Sequence, residues 1–158
     1  IDIPSRLSGL KGVRNSDLPV WVGFSCEPDD NGVMRLLSGQ KDLVDSSPNL
    51  RVGETLEEAI LSLKDQNIPL INVMHTDVEY IDECLDIVKL NWNGLVGVYA
   101  HSGEDIQMEW TFDDVISPKD YFNYCDKWLK KGTNIIGGCC GTGPEHIKHL
   151  KENLSLNY

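Results

Sequence analysis

Two adjacent cysteines, Cys139 and Cys140, stand in the glycine-rich run Gly137-Gly138-Cys139-Cys140-Gly141-Thr142, between the apolar pair Ile135-Ile136 and Pro144-Glu145-His146-Ile147. Neighbouring Cα atoms lie about 3.8 Å apart, short of the roughly 4.4–6.8 Å of an ordinary disulfide, so a bridge between them is disfavoured. In an extended strand their side chains would point to opposite faces. The flanking glycines permit a turn that brings both sulfurs toward one point. The chemistry that uses such a turn is the binding of a thiophilic metal. A plainer reading stays open here, in which both cysteines are buried as small hydrophobes.

Other soft or ionisable side chains occupy comparable places: Cys26, His75, His101 and Glu104 each follow an apolar run. The runs are Val20–Ser25, Leu70–Met74, Leu95–Tyr99 and Asn134–Gly137, and their near-continuous apolar character suits parallel strands. Helical patterns follow at about Leu56–Gln66, Val78–Leu90, Pro118–Lys131 and Pro144–Leu154. Thr55 with Glu58, Thr76 with Glu79, and Thr142 with Glu145 have capping-box spacing, and Ser117-Pro118 with Asp120 is a close relative. Residues 27–53 carry Pro28, Asp29, Asp30, Asn31, Gly32, Ser46, Ser47 and Pro48, and read as one long surface loop. Four β–α units imply an α/β fold with a parallel sheet. They amount to half of an eightfold barrel or to a small doubly wound sheet, and periodicity does not choose between them.

In either architecture, ligands collect at the carboxyl ends of the strands, where the cysteines and histidines fall. Thiolates favour zinc among common metals, and catalytic zinc sites keep one position open beside three protein ligands. A substrate thiol bound at such a position would lose its proton and become a nucleophile.

The chain has 158 residues, with 14 Lys and Arg against 25 Asp and Glu, a formal charge of −11. That length suffices for one domain with a core. The acidity argues against a nucleic-acid partner. No apolar run is long enough to span a bilayer. Five cysteines without framework spacing fit a reducing, cytoplasmic setting. The amino-terminal Ile1 is not an initiator methionine, so a fragment or a processed product is expected.

The segment from Ile135 to Ile147 resembles the carboxyl-terminal signature of the homocysteine S-methyltransferases, or homocysteine-binding domain. Pro19–Ser25 is similar to that family's fifth strand, Leu50–Ala59 to its following helix start, and Tyr99-Ala100-His101-Ser102-Gly103-Glu104 to its seventh-strand loop. The resemblance implies a zinc-dependent (β/α)8 TIM barrel that methylates the thiol of homocysteine to give methionine. Residues 1–158 would be the carboxyl-terminal half of that domain. Cys139 and Cys140 would be zinc ligands on the eighth strand. The methyl donor is left open among S-methylmethionine, S-adenosylmethionine, betaine and a methylated folate. A half-barrel by itself would leave sheet edges and apolar faces open, so it is expected to need its missing amino-terminal half or to self-associate.

One departure bears on the chemistry. The family's third zinc cysteine follows an asparagine at the sixth strand's end, and here Val73 follows Asn72. His75 is the replacement expected, with Cys26 and His101 as poorer ones. The alternative is a two-cysteine or metal-free site in a non-catalytic thiol- or metal-binding domain. A redox role is disfavoured because no Cys-x-x-Cys spacing is present.

The remaining candidates have structural readings. His75 would hydrogen-bond the helix entrance beside Thr76, and His101 would be a turn residue. Cys84, Cys125, His146 and His149 would be structural residues of helices. The acidic pairs would be solvated, and Trp21, Trp92, Trp110 and Trp128 would pack in the core.

Overall fold

The structure, a computed structural model, describes residues 9–13, 18–37, 54–106 and 111–154. Residues 9–13 are helical. Then come β1 (Trp21–Phe24), β2 (Cys26–Pro28), β3 (Met34–Leu36), α1 (Leu56–Leu61), β4 (Leu70–Asp77), α2 (Ile81–Asn91), β5 (Leu95–His101), β6 (Glu104–Ile106), β7 (Thr111–Asp113), α3 (Pro118–Lys130), β8 (Ile135–Ile136) and α4 (Pro144–Leu154). Four strands form one sheet in the order β1-β4-β5-β8, and each neighbouring pair is parallel. Strand order therefore follows chain order, with a helix over each crossover.

Each helix buries one stripe. In α2 the buried residues are Ile81, Cys84, Leu85 and Val88, and in α3 they are Tyr121, Cys125 and Trp128. These are the i, i+3, i+4, i+7 spacings of a single face. The stripes pack with Phe24, Ile71, Val73, Val98 and Ala100 of the sheet in one hydrophobic core. Alternate strand positions face the other way. There Gly23, Gly97 and Gly137 leave room for neighbouring side chains: a Cβ at Gly23 would meet Met74, one at Gly97 would meet Asn72, and one at Gly137 would meet Tyr99. Trp21, Leu95 and Ile135 are exposed at the strand starts.

Two expected helix starts hold. Thr55 and Glu58 form a full capping box on α1, and the Ser117 side chain accepts from the Asp120 N–H with Pro118 in the first turn of α3. Two do not. Thr76 belongs to β4, where its hydroxyl accepts from the Cys26 N–H and donates to the Met74 carbonyl. The α2 cap is Tyr80, without a side-chain bond. A tertiary hydrogen bond to β2 thus overrides the local cap. Thr142 instead donates to the Cys139 carbonyl at 2.6 Å.

The expected loop at 27–53 is also corrected. Its first part is an antiparallel β2–β3 hairpin whose turn is held by Asp29, which accepts from the Asn31 and Val33 N–H groups and pairs with Arg35. Asp, Asn and Gly were legible as turn residues, but they close a hairpin here. Residues 38–53 lie outside the described residues. The β2–β3 hairpin follows β1 and the β6–β7 hairpin follows β5, so both insertions sit at the carboxyl end of the sheet.

Candidate metal centre

Cys139 and Cys140 lie just beyond β8, on a turn closed by the Thr142 N–H bonding the Cys139 carbonyl at 3.2 Å. Gly141, third in that turn, has φ +75°, and Cys140 before it has an ordinary negative φ. That combination fits a type II turn, which needs a residue without a Cβ at this place. A methyl group there would also run into the Ser102 carbonyl. The turn is anchored along β5, because Cys139 N–H bonds Ala100 and Ser102 N–H bonds Cys140. Both sulfurs consequently face the same way, 3.8 Å apart and unbonded.

His75 reaches them from β4. The β4–β5 register shifts between Met74 and Asp77, and within that irregularity His75 has φ +44°. A bulge of this kind re-aims a side chain, and histidine is among the residues that tolerate left-handed backbone. Its Nδ1 lies 3.7 Å from Cys139 Sγ and 3.6 Å from Cys140 Sγ. Among the described residues these three form the group able to hold a metal ion, with all ligand atoms within 4.8 Å of one another.

The spacing has a metrical meaning. A tetrahedral ion with bonds of about 2.3 Å to sulfur and about 2.0–2.1 Å to nitrogen sets its donors about 3.8 Å (S to S) and about 3.6 Å (S to N) apart. The observed 3.8, 3.7 and 3.6 Å are three edges of that tetrahedron. The donor set therefore fits zinc in both chemistry and size.

The electrostatics favour a ligand state. Although His75 is exposed on one side, burial of the rest holds its pKa below the usual 6.5, and the neighbouring His101 lowers it further. The neutral imidazole that a metal requires is thus the preferred form. The two rings lie 4.9 Å apart at 44°. Tyr99, on β5, lies within electrostatic reach of Cys139. Its hydroxyl contacts Met74 Sδ at 2.9 Å, and burial together with the charge of Cys139 raises its pKa.

The other candidates separate clearly. Val73 is fully buried in the core, and so is Cys26, which faces Cys84 rather than the turn. Cys26 is therefore not a third donor. His101 stacks on His75 but lies outside the donor group, and its Nε2 is 3.9 Å from Asp77. The Glu104 side chain and Trp110 lie outside the described residues. His75 does not bond the helix entrance as the simpler reading expected; its partners are the two cysteines. Cys84 and Cys125 are buried in helices, and His146 and His149 serve in α4. Trp128 is a core residue, whereas Trp21 is 56% exposed. Tyr99, Met74 and Ser102 were not singled out from the sequence. Only the strand alternation from His101 back to Tyr99 pointed to the first of them.

The chain is similar to known proteins along most of its length. The profile of the homocysteine S-methyltransferase family matches residues 5–154. A selenocysteine methyltransferase of Astragalus bisulcatus is 26% identical over 162 aligned positions, covering 97% of this chain and 43% of that protein. Homocysteine S-methyltransferase 2 of Arabidopsis thaliana is 26% identical over 111 positions, 67% of this chain and 33% of its own length. A homocysteine S-methyltransferase of Bacillus subtilis is 29% identical over 86 positions, 54% of this chain and 27% of its own length. The chain spans less than half the length of these relatives. The twin-cysteine turn at the end of a parallel strand and the profile match along nearly all its residues lead to one statement: the chain belongs to the homocysteine S-methyltransferase family.

Proposed function

We propose that this chain supplies the metal- and thiol-binding part of an enzyme that transfers a methyl group to homocysteine, with zinc held by Cys139, Cys140 and His75. The observation that carries the reading is the triangle of donor atoms, whose 3.6, 3.7 and 3.8 Å sides match three corners of a zinc-sized tetrahedron. Three protein donors leave a fourth position for the substrate sulfur. Zinc bound there would lower the pKa of a thiol enough to make homocysteine a thiolate near neutral pH.

The chain's own residues contribute position. Gly141 lets both cysteines face one point, and the β4 irregularity turns His75 toward them. Displacement at a methyl carbon demands in-line alignment of sulfur, carbon and leaving group, which rigid strand ends provide. The product of methylating homocysteine is methionine.

The architecture proposed for the complete domain is a (β/α)8 barrel, in which residues 1–158 form the carboxyl-terminal half. Parallel strands in chain order, helices on one face, and exposed Trp21, Leu95 and Ile135 on the other support it. The rest of the domain would cover that second face. Five free thiols suit a reducing, cytoplasmic compartment. Among the described residues no helix is long and apolar enough to cross a membrane.

Cobalt titration tests the site. One equivalent should bind with thiolate-to-metal charge-transfer absorption, His75→Ala should weaken it, and homocysteine should shift the spectrum. A chain that binds no metal would sink the proposal. Binding without any response to homocysteine would point instead to a non-catalytic metal-binding domain.

A further inference from the structure

We infer that Ser102 and His146 are positioning residues that hold the Cys139–Cys140 turn through a closed ring of hydrogen bonds. The ring begins at Cys140, whose carbonyl accepts from the Ser102 N–H at 3.1 Å. Ser102 Oγ accepts from the Ile116 N–H at 2.9 Å. The Ile116 carbonyl lies 2.7 Å from His146 Nε2, and His146 Nδ1 lies 3.0 Å from the Gly143 N–H. Gly143 is three residues from Cys140, so the chain itself closes the circuit.

The roles around the ring are forced. A carbonyl only accepts and a backbone N–H only donates, so Nε2 carries the proton and Nδ1 is the bare acceptor. Glu145 Oε1, 3.4 Å from Nδ1, therefore forms no hydrogen bond to it in this tautomer. Ser102 is 5% exposed and His146 2%, so both work where a lost partner is not replaced by water. Tyr121, wholly buried, meets His146 edge-on at 5.9 Å and donates to the Gly137 carbonyl at 2.7 Å. The turn is thus gripped on both flanks from α3 and its entrance, although neither Ser102 nor His146 touches a sulfur.

This inference deepens the zinc reading and rests on it for its metal readout. Groups that orient metal ligands from behind are worth about 10- to 100-fold in metal affinity. The test uses His146→Phe, Ser102→Ala and the double variant, with His146→Gln retaining an amide donor near the Nε2 position. Cobalt affinity should fall about 10-fold or more in His146→Phe, recover in part in His146→Gln, and fall hardly further in the double variant, because both single changes open the same ring.

Two readouts need no metal: the ¹⁵N tautomer of His146 should be the Nε2–H form, and Cys139 and Cys140 should be alkylated several-fold faster in folded His146→Phe. A chain that binds no cobalt yet shows both would refute the zinc site and keep the ring. Unchanged alkylation, an Nδ1–H tautomer, or additive losses in the double variant would overturn the inference.

Discussion

The chain carries two pairs of facing cysteines in opposite environments. Cys139 and Cys140 share a half-buried turn with an imidazole, at the open end of the sheet. Cys26 and Cys84 meet across β2 and α2 in the core, at 1% and 0% exposure. Cys84 is driven far above the ordinary thiol range, first by its hydrogen bond with Cys26 and then by burial. Cys84 is thus held as a neutral thiol, inert as a ligand. The lesson is that a thiol's chemistry is set by its dielectric surroundings and by what faces it, more than by having another thiol nearby.

The comparison can be broken in order of effect. Alkaline pH should strike the core first. Burial pushes the Cys125 thiol up to about 12 from 9.0, so its contribution is fully present below pH 9 and is lost as pH rises toward 12. That gap corresponds to about 4 kcal/mol. Chemical denaturation at a series of pH values should therefore show stability falling above pH 9; a flat profile to pH 11 would mean that Cys125 is not buried in solution.

Cys140→Ser attacks the other pair. Structural zinc sites with four protein donors are worth about 10–16 kcal/mol, about 3 kcal/mol or more per donor, so in the proposed three-donor site this change should cost at least roughly 100-fold in metal affinity. Competition with a chelating dye measures it, and the melting temperature of the metal-free chain should hardly move. Gly141→Ala should be next, at about 2 kcal/mol, since alanine meets both left-handed strain and the Ser102 carbonyl. Its effect should appear in metal affinity as well as in stability.

The smallest expected change is in Cys84→Ala, about 1 kcal/mol of stability from a small cavity, with metal affinity untouched. If that variant lost the metal, the division between the two pairs would be false.

Much of the architecture was readable. The strand runs at Val20, Leu70, Leu95 and Asn134 and four helical patterns map onto the parallel sheet and its covering helices, because apolar runs and 3.6-residue stripes report burial directly. The β2–β3 hairpin was not readable as strand, since three-residue strands joined by turn residues carry no periodicity. Thr76 looked like a cap because spacing is local, whereas the Cys26 N–H that donates to its hydroxyl is brought there by the fold; Thr142 turns back instead to donate to the Cys139 carbonyl, a local partner on the side away from the helix.

For the site, the glycine-flanked adjacent cysteines drew attention to Cys139 and Cys140 with burial still open, and the strand-end neighbours and the family resemblance turned them into expected ligands. The sequence also placed a histidine near the right strand end. Only the tertiary structure decided that His75, rather than Cys26 or His101, turns its nitrogen toward both sulfurs. That choice depends on an irregularity in strand pairing and a left-handed φ at one residue, and neither leaves a periodic trace in the chain.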